Sequence, residues 1–155
     1  MKISVENSFI TDDSNECEQG AYFVQTTANA KFAEDAVKNG ANIITLEECK
    51  KLLKIDESLK IVGITGTNGK TTTKELLSAV LSEKFNVMHT EGNYNNDVGV
   101  PKTLFRLNDS HEIAVVEMGA SHIGDIKKLV DYVEPTCGLI TNVGRAHLQG
   151  FGSFE

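Results

Sequence analysis

At 155 residues with 40% apolar side chains, the chain has the length of about one domain and the bulk to bury a core. A formal net charge of −7 without a basic cluster argues against nonspecific binding to nucleic acid or to an anionic membrane, and few aromatics with no Trp argue against a base-stacking platform. No apolar run approaches the ~18 residues of a membrane span, Met1–Ile10 lacks the order of a leader, and Cys17, Cys49 and Cys137 are too widely spaced for a disulfide framework or zinc site. The expectation is a reduced, cytoplasmic protein in which any phosphate ligand is held locally.

In chain order, the first 55 residues predict a small α/β unit. AYFVQ (21–25) is a strand, 30–39 a helix stopped by Gly40, and ANIIT (41–45) a second strand. Thr45 and Glu48 form a capping box for a helix over 46–54, and the polar stretch 55–59 is a linker. From Lys60 strands and helices alternate: strand 60–65, helix 71–84, strand 86–90, helix 98–107 with Pro101 in its first turn, strand 113–118, helix 124–133 and strand 137–141. Leu76, Leu77, Val80 and Leu81 supply the apolar stripe of the first of these helices. Four apolar strands separated by helices predict a parallel sheet covered on both faces. The fold class is therefore α/β, with an N-terminal unit over 1–57 and part of a phosphate-loop domain over 58–155.

The most informative run is ITGTNGKTTTKELL, Ile64 to Leu77, which predicts a strand end, a glycine turn and a helix start. Gly66 and Gly69 permit a tight turn with inward N–H groups, Lys70 can reach the β- and γ-phosphates, and the Thr71 hydroxyl can ligate Mg²⁺. The general phosphate-loop pattern asks for glycine six residues before the lysine, where this chain has Ile64, so the loop is a shorter variant. Gly-Lys-Thr is also ordinary helix-start chemistry, but the apolar strand before it and the amphipathic helix after it favour phosphate. In an open parallel sheet the loops at the carboxyl ends of the strands share one crevice. Here they carry the glycine loop, Glu91–Asp97, Glu117 and Asn142–Gly152.

Within that set, Glu117 ends an apolar strand, as a metal-binding carboxylate or as a solvated strand end. His147 is a metal ligand, a phosphate contact or a structural histidine. GNYNND (92–97) orients substrate or makes turns and caps. His122, after Met118–Ser121, is a candidate substrate contact. No nucleophile triad or metalloprotease spacing is present, so the chemistry on offer is metal-assisted phosphoryl transfer.

Four runs then agree in order: ITGTNGKTTTKEL, TEGNYNNDVGVPKTLFRL, AVVEMGASHIGDI and ITNVGRAHLQGFGSFE. Together they resemble the Mur ligases of peptidoglycan precursor synthesis over 60–155. The resemblance implies ATP and Mg²⁺ as cofactors, and transfer of the γ-phosphate to a carboxylate followed by displacement by an amine. It implies nucleotide contacts at Thr67, Asn68, Gly69, Lys70, Thr71, Thr72 and Asn142, catalytic roles for Lys70, Glu117 and His147, and metal contacts at Thr71, Glu117 and His147. Asn95, Asn96 and His122 would contact the substrate, a UDP-N-acetylmuramoyl peptide that is joined to an amino acid or dipeptide.

After Thr73 the chain is most similar to the family members that add D-alanyl-D-alanine. ITDDSNECEQGAYFV is similar to the family's uridine-nucleotide-binding unit and implies that Ser14 contacts the UDP sugar, although Asn15 stands where Arg is usual. TTANAKFAED replaces the expected glycine-rich segment, as in some diamino-acid-adding members. The two halves thus point to different members, through a natural lineage with a short N-terminal unit or a chimera joined near Gly63–Thr73. The resemblance also leads one to expect a lysine soon after Glu155, more of the sheet and a C-terminal domain, so that these residues alone do not complete ligation.

Overall fold

The computed structural model describes residues 2–5, 7–26, 29–55 and 58–152. The chain divides into two compact units, Met1–Ile55 and Asp56–Glu155.

In the first unit, β1 (Lys2–Val5) pairs antiparallel with β2 (Ser8–Thr11). Strands β3 (Tyr22–Val24) and β4 (Asn42–Ile44) then add in parallel, giving the order β1-β2-β3-β4. Phe23 and Val24 are both fully buried, so both faces of β3 are covered, and Phe23 packs with Cys17, Ala21, Ala36 and Ala41. The first hairpin was not expected: KISV alternates polar with apolar residues over only four positions, and its side chains are half-exposed or exposed. The helix expected over 30–39 begins as a 3-10 turn, Ala30–Phe32, and becomes α1 only at Ala33–Lys38. Its preceding Asn29 makes no cap; the side chain instead accepts from Thr26 N at 2.7 Å and donates to the Val24 carbonyl at 2.9 Å. The capping box forms as read, with Glu48 Oε2 accepting from Thr45 N at 2.7 Å, and starts α2 (Leu46–Leu52). Of the expected linker, Asp56 and Glu57 lie outside the described residues, as do Thr27, Ala28 and Ser153–Glu155 of the quoted motifs.

In the second unit the elements are β5 (Lys60–Thr65), α3 (Lys70–Ser82), β6 (Val87–His89), α4 (Gly99–Leu104), β7 (Ile113–Glu117), α5 (Asp125–Val133), β8 (Cys137–Ile140) and α6 (Leu148–Phe151). The sheet order is β6-β7-β5-β8, with every pairing parallel. All four carboxyl ends therefore lie along one edge of the sheet. Period-2 alternation puts Val62, Ile64, Ile113 and Val115 on one face, where Leu77 and Leu81 of α3 join the same core cluster. Helix α5 packs on β5 and α4 on β7, and the two helices meet each other. No helix among the described residues is long and apolar enough to cross a membrane.

Two sequence expectations change here. Leu76 and Val80 are 64% and 70% exposed, whereas Lys74 and Ser78 are buried beside Leu77 and Leu81. Residues 74, 77, 78 and 81 are the i, i+3, i+4, i+7 stripe of α3, and a buried lysine is tolerated in it because its ammonium finds oxygen partners. Strand β8 is not covered on both faces: all its residues are exposed, Ile140 to 64%. Among the described residues it is the last strand on its side of the sheet, and α3, α4 and α5 pack over the other three strands.

Candidate functional site

The glycine loop expected to hold phosphate runs from Thr65 to Lys70 between β5 and α3. Gly66 (φ 130°) and Gly69 (φ 78°) both hold backbone conformations that favour glycine. The loop after β8 braces it. Thr67 N donates to the Asn142 carbonyl (3.0 Å), Asn68 N to Asn142 Oδ1 (3.0 Å), and the Thr141 hydroxyl to the Asn68 carbonyl (2.6 Å). Thr67 Oγ1 accepts from Gly144 N at 2.8 Å. Asn142 thus consumes two loop amides, Thr67 and Asn68, and in this structure serves as a loop brace. Within α3 the first amide bonded to a carbonyl is Thr73 N, on Gly69 O at 2.9 Å. The amides of Lys70, Thr71 and Thr72 are the donors that a helix start leaves for an anion. Lys70 Nζ bends over the loop onto the carbonyls of Gly66 (2.7 Å) and Thr67 (3.2 Å), and Thr71 and Thr72 are exposed.

Glu117 is buried at the tip of β7, only 1% exposed. Its amide donates to the Thr90 hydroxyl at 2.9 Å, and Oε1 accepts from Asn95 Nδ2 at 2.8 Å. Oε2 is buried with no hydrogen-bond partner among the described residues. A carboxylate oxygen in that state fits a cation or a strong donor. No three His, Cys, Asp or Glu side chains cluster for a metal among the described residues. A divalent ion at Glu117 would therefore take at most one further ligand of these types and draw the rest of its shell from hydroxyl, phosphate or water oxygens, as a nucleotide-bound magnesium does.

A cleft of about 380 Å³ lies at the strand ends, lined among others by Lys70, Asn95, Asn96, Gly119, His122 and His147. Glu117 is joined to it through Asn95. A second cleft of about 380 Å³ is lined by Thr65–Thr67, Lys70, Asn142, Val143, His147 and Phe151. Lys70 and His147 line both. His147 is exposed in a left-handed conformation (φ 52°) at the start of α6. His122 is held beside Asp125, whose Oδ2 accepts from the amides of Ser121 (2.9 Å) and His122 (2.8 Å). Those two backbone bonds hold the Asp125 carboxyl below its ordinary value.

The structure thus brings Lys70, Asn95, Asn96, His122 and His147 to one cleft, with Glu117 behind Asn95. Asn96 is partly committed, since its Oδ1 accepts from Gly99 N at 2.8 Å and Val98 N at 3.2 Å and opens α4. Ser14 belongs to the first unit, buried at the start of the 3-10 turn Ser14–Glu16, where its carbonyl accepts from Asn39 Nδ2 at 2.9 Å. Sequence reasoning missed Lys74, Thr90, Asp125 and Thr141. Lysine in a GKTTTKE run carries no sign of burial, and threonines at strand ends are too common to stand out.

A profile of the Mur ligase middle domain matches residues 64–155. The UDP-N-acetylmuramoyl-tripeptide--D-alanyl-D-alanine ligase of Synechocystis is 54% identical over 62% of this chain and 21% of its own length. Among solved structures, MurF from Acinetobacter baumannii superposes with a TM-score of 0.70 at 31% identity, covering 97% of this chain and 40% of its own. MurF from Thermotoga maritima, solved in complex with ADP, gives 0.68 at 33% identity over 94% of this chain and 40% of its own. The chain spans about a fifth of the length of that curated relative. With the family profile matched over more than half of its residues, on a sheet whose strand ends gather the motifs that the profile covers, the chain belongs to the Mur ligase family.

Proposed function

We propose that this chain is the nucleotide-binding portion of an ATP-dependent ligase that adds D-alanyl-D-alanine to a UDP-N-acetylmuramoyl tripeptide. The observation that carries the reading is the pairing of an amide-rich helix start topped by Lys70 with the buried, half-satisfied carboxylate of Glu117, at the carboxyl ends of neighbouring strands. In the proposed reaction a carboxylate oxygen of the tripeptide attacks the γ-phosphorus of ATP and ADP leaves. The amine of the dipeptide then attacks the acyl phosphate carbon, inorganic phosphate leaves, and the amine proton is lost as the amide forms.

The residues divide this work by their chemistry. The first-turn amides of α3 and Lys70 hold the phosphates and offset negative charge on the group in transfer. Lys70 exchanges the carbonyls of Gly66 and Thr67 for phosphate oxygens. Glu117, with Thr71 and His147, is the proposed seat of Mg²⁺, which when bound would neutralise charge on the transferring phosphoryl group. Thr67, Asn68, Gly69, Thr72 and Asn142 shape the loop around the nucleotide, and Asn95, Asn96 and His122 meet the peptide substrate across the cleft. Ser14 is the proposed contact to the UDP sugar in the first unit. Such precursors and ATP place the reaction in the cytoplasm. The short first unit does not require a diamino-acid-adding enzyme, because the Acinetobacter MurF likeness extends over 97% of this chain.

Calorimetric titration with a nonhydrolysable Mg·ATP analogue tests the site, with folded Lys70→Ala as control. Saturable binding lost in Lys70→Ala is expected. Binding unchanged in that variant, or none by the folded wild type, would overturn the nucleotide reading. A preference for UDP-N-acetylmuramoyl tripeptide over dipeptide is expected in the same cell, and the reverse preference would overturn the dipeptide-adding assignment.

A further inference from the structure

Lys74 lies one helical turn beyond Lys70 on α3 and is completely buried. Its ammonium donates to the Thr90 carbonyl at 2.6 Å and pairs with Glu75 Oε1 at 2.7 Å. Its neighbours on the same stripe, Leu77 and Leu81, show that this helix face packs against the sheet with aliphatic side chains. A charged group there costs desolvation that a leucine or methionine would not, so packing alone does not account for it.

What the ammonium grips is the residue that holds Glu117. Thr90 is fully buried just beyond β6, its amide donates to the Val115 carbonyl at 3.0 Å, and its hydroxyl accepts the Glu117 amide at 2.9 Å. Glu117 in turn is held at Oε1 by Asn95, whose carbonyl accepts from Gly119 N at 2.6 Å. A continuous line of short hydrogen bonds therefore runs from α3 through the end of β6 to the tip of β7 and on to the cleft. It links the helix whose first turn would hold phosphate to the carboxylate whose free oxygen would meet the metal.

We propose that Lys74, acting through Thr90, is a positioning residue that sets the Glu117 carboxylate relative to the phosphate-loop helix. The proposal rests on the nucleotide-site reading above for its consequence in binding, but not for the positioning itself. Lys74 fixes the Thr90 carbonyl, that anchorage fixes the Thr90 hydroxyl, and the hydroxyl fixes the Glu117 backbone from which the carboxylate projects. Removing the ammonium loosens the Glu117 tip while leaving the middle of the sheet intact.

The test uses isotope-labelled chain with Lys74→Met, Thr90→Val and Thr90→Ser. Amide exchange at Glu117 and the side-chain amide signals of Asn95 are read first. The gain in ADP affinity on adding Mn²⁺, relative to ADP alone, is read second. Thr90→Val, which keeps shape but removes the hydroxyl, is expected to speed Glu117 exchange at least about tenfold and shift Asn95, whereas Thr90→Ser restores both. Lys74→Met is expected to move the same two residues and to cut the metal-dependent gain roughly 10–100-fold, the usual range for a group behind a metal ligand. Amides of Val115 and Val116 stay protected in every folded variant.

Glu117 and Asn95 signals that coincide with wild type in folded Lys74→Met would overturn the proposal, as would an unchanged metal-dependent gain. Should Lys74→Met fail to fold, Lys74→Leu, which matches the aliphatic side chains of Leu77 and Leu81 on the same face, carries the same decision. Absence of ADP binding by the wild-type chain overturns the nucleotide-site reading, and the Glu117 and Asn95 signals still decide whether Lys74 positions the carboxylate.

Discussion

Gly66 and Gly69 both sit at positive φ in one loop, yet replacing each by alanine should have very different costs. At Gly69 (φ 78°) a Cβ meets nothing within 4 Å, so Gly69→Ala pays only the left-handed backbone penalty, about 1–2 kcal/mol. At Gly66 (φ 130°) the backbone cost is of the same order, about 1–3 kcal/mol, and the new Cβ collides with the Thr141 hydroxyl and lies 2.9 Å from the Asn142 carbonyl. Thr141 cannot move freely, because its hydroxyl donates to the Asn68 carbonyl at 2.6 Å. Nor can Asn142, whose carbonyl and side chain take the amides of Thr67 and Asn68 at 3.0 Å each. Losing even one or two of these bonds adds roughly 1–3 kcal/mol. Gly66→Ala should therefore be less stable than Gly69→Ala by about 2 kcal/mol. For a unit of about 100 residues that is a melting difference of roughly 8–16 °C. The assay is unfolding of the two variants followed at the Val115 and Val116 amides of β7, which report the second unit. Equal stability of the two variants would refute the brace between the phosphate loop and the loop after β8.

Thiol labelling of the native chain near pH 8 should modify Cys137, which is exposed on β8, well before Cys49, which is buried with burial pushing its thiol up to about 12. Cys17, also buried and pushed up by desolvation, should follow Cys49 in resisting, and equal rates at all three sites would contradict the packing of the first unit. Asp125 has its folded pKa depressed below the ordinary 3.8 by the Ser121 and His122 amides, so its stabilisation is present above that value and lost as pH falls through the folded pKa. The stability advantage of wild type over Asp125→Asn should then be constant at neutral pH and shrink below pH 3.8. An advantage that grows on acidification would contradict the hydrogen bonding of the loop that carries His122.

Local sequence patterns made the second unit legible because they coincide with its physical determinants. KIVGIT and IAVVEM are continuous apolar runs that form the two central strands, β5 and β7. The glycines between β5 and α3 mark a turn whose φ values demand them. What stayed hidden depended on partners distant in sequence. The rotation of α3 that packs Leu77 and Leu81 on the sheet also buries Lys74 and exposes Leu76, and Thr90, 16 residues away, offers the buried ammonium its carbonyl. The second part played by Asn142, a brace whose side-chain oxygen accepts from an amide 74 residues earlier in the chain, leaves no local pattern either. The hairpin of β1 and β2 escaped notice because strands of only four residues leave little periodicity to read. The exposure of β8 was not legible from composition: CGLI is as apolar as a covered strand, yet all four of its residues are exposed here.

The central claim, that the start of α3 and the tip of β7 form one metal–nucleotide site, is tested most directly by adding Mn²⁺·ADP to isotope-labelled chain and mapping paramagnetic broadening of amide signals. The expected result is broadening centred on 69–72 and Glu117 with Asn95 next, reversed by excess Mg²⁺ and absent in folded Glu117→Ala. Bound ADP whose Mn²⁺ broadens other residues while Glu117 stays sharp would contradict it.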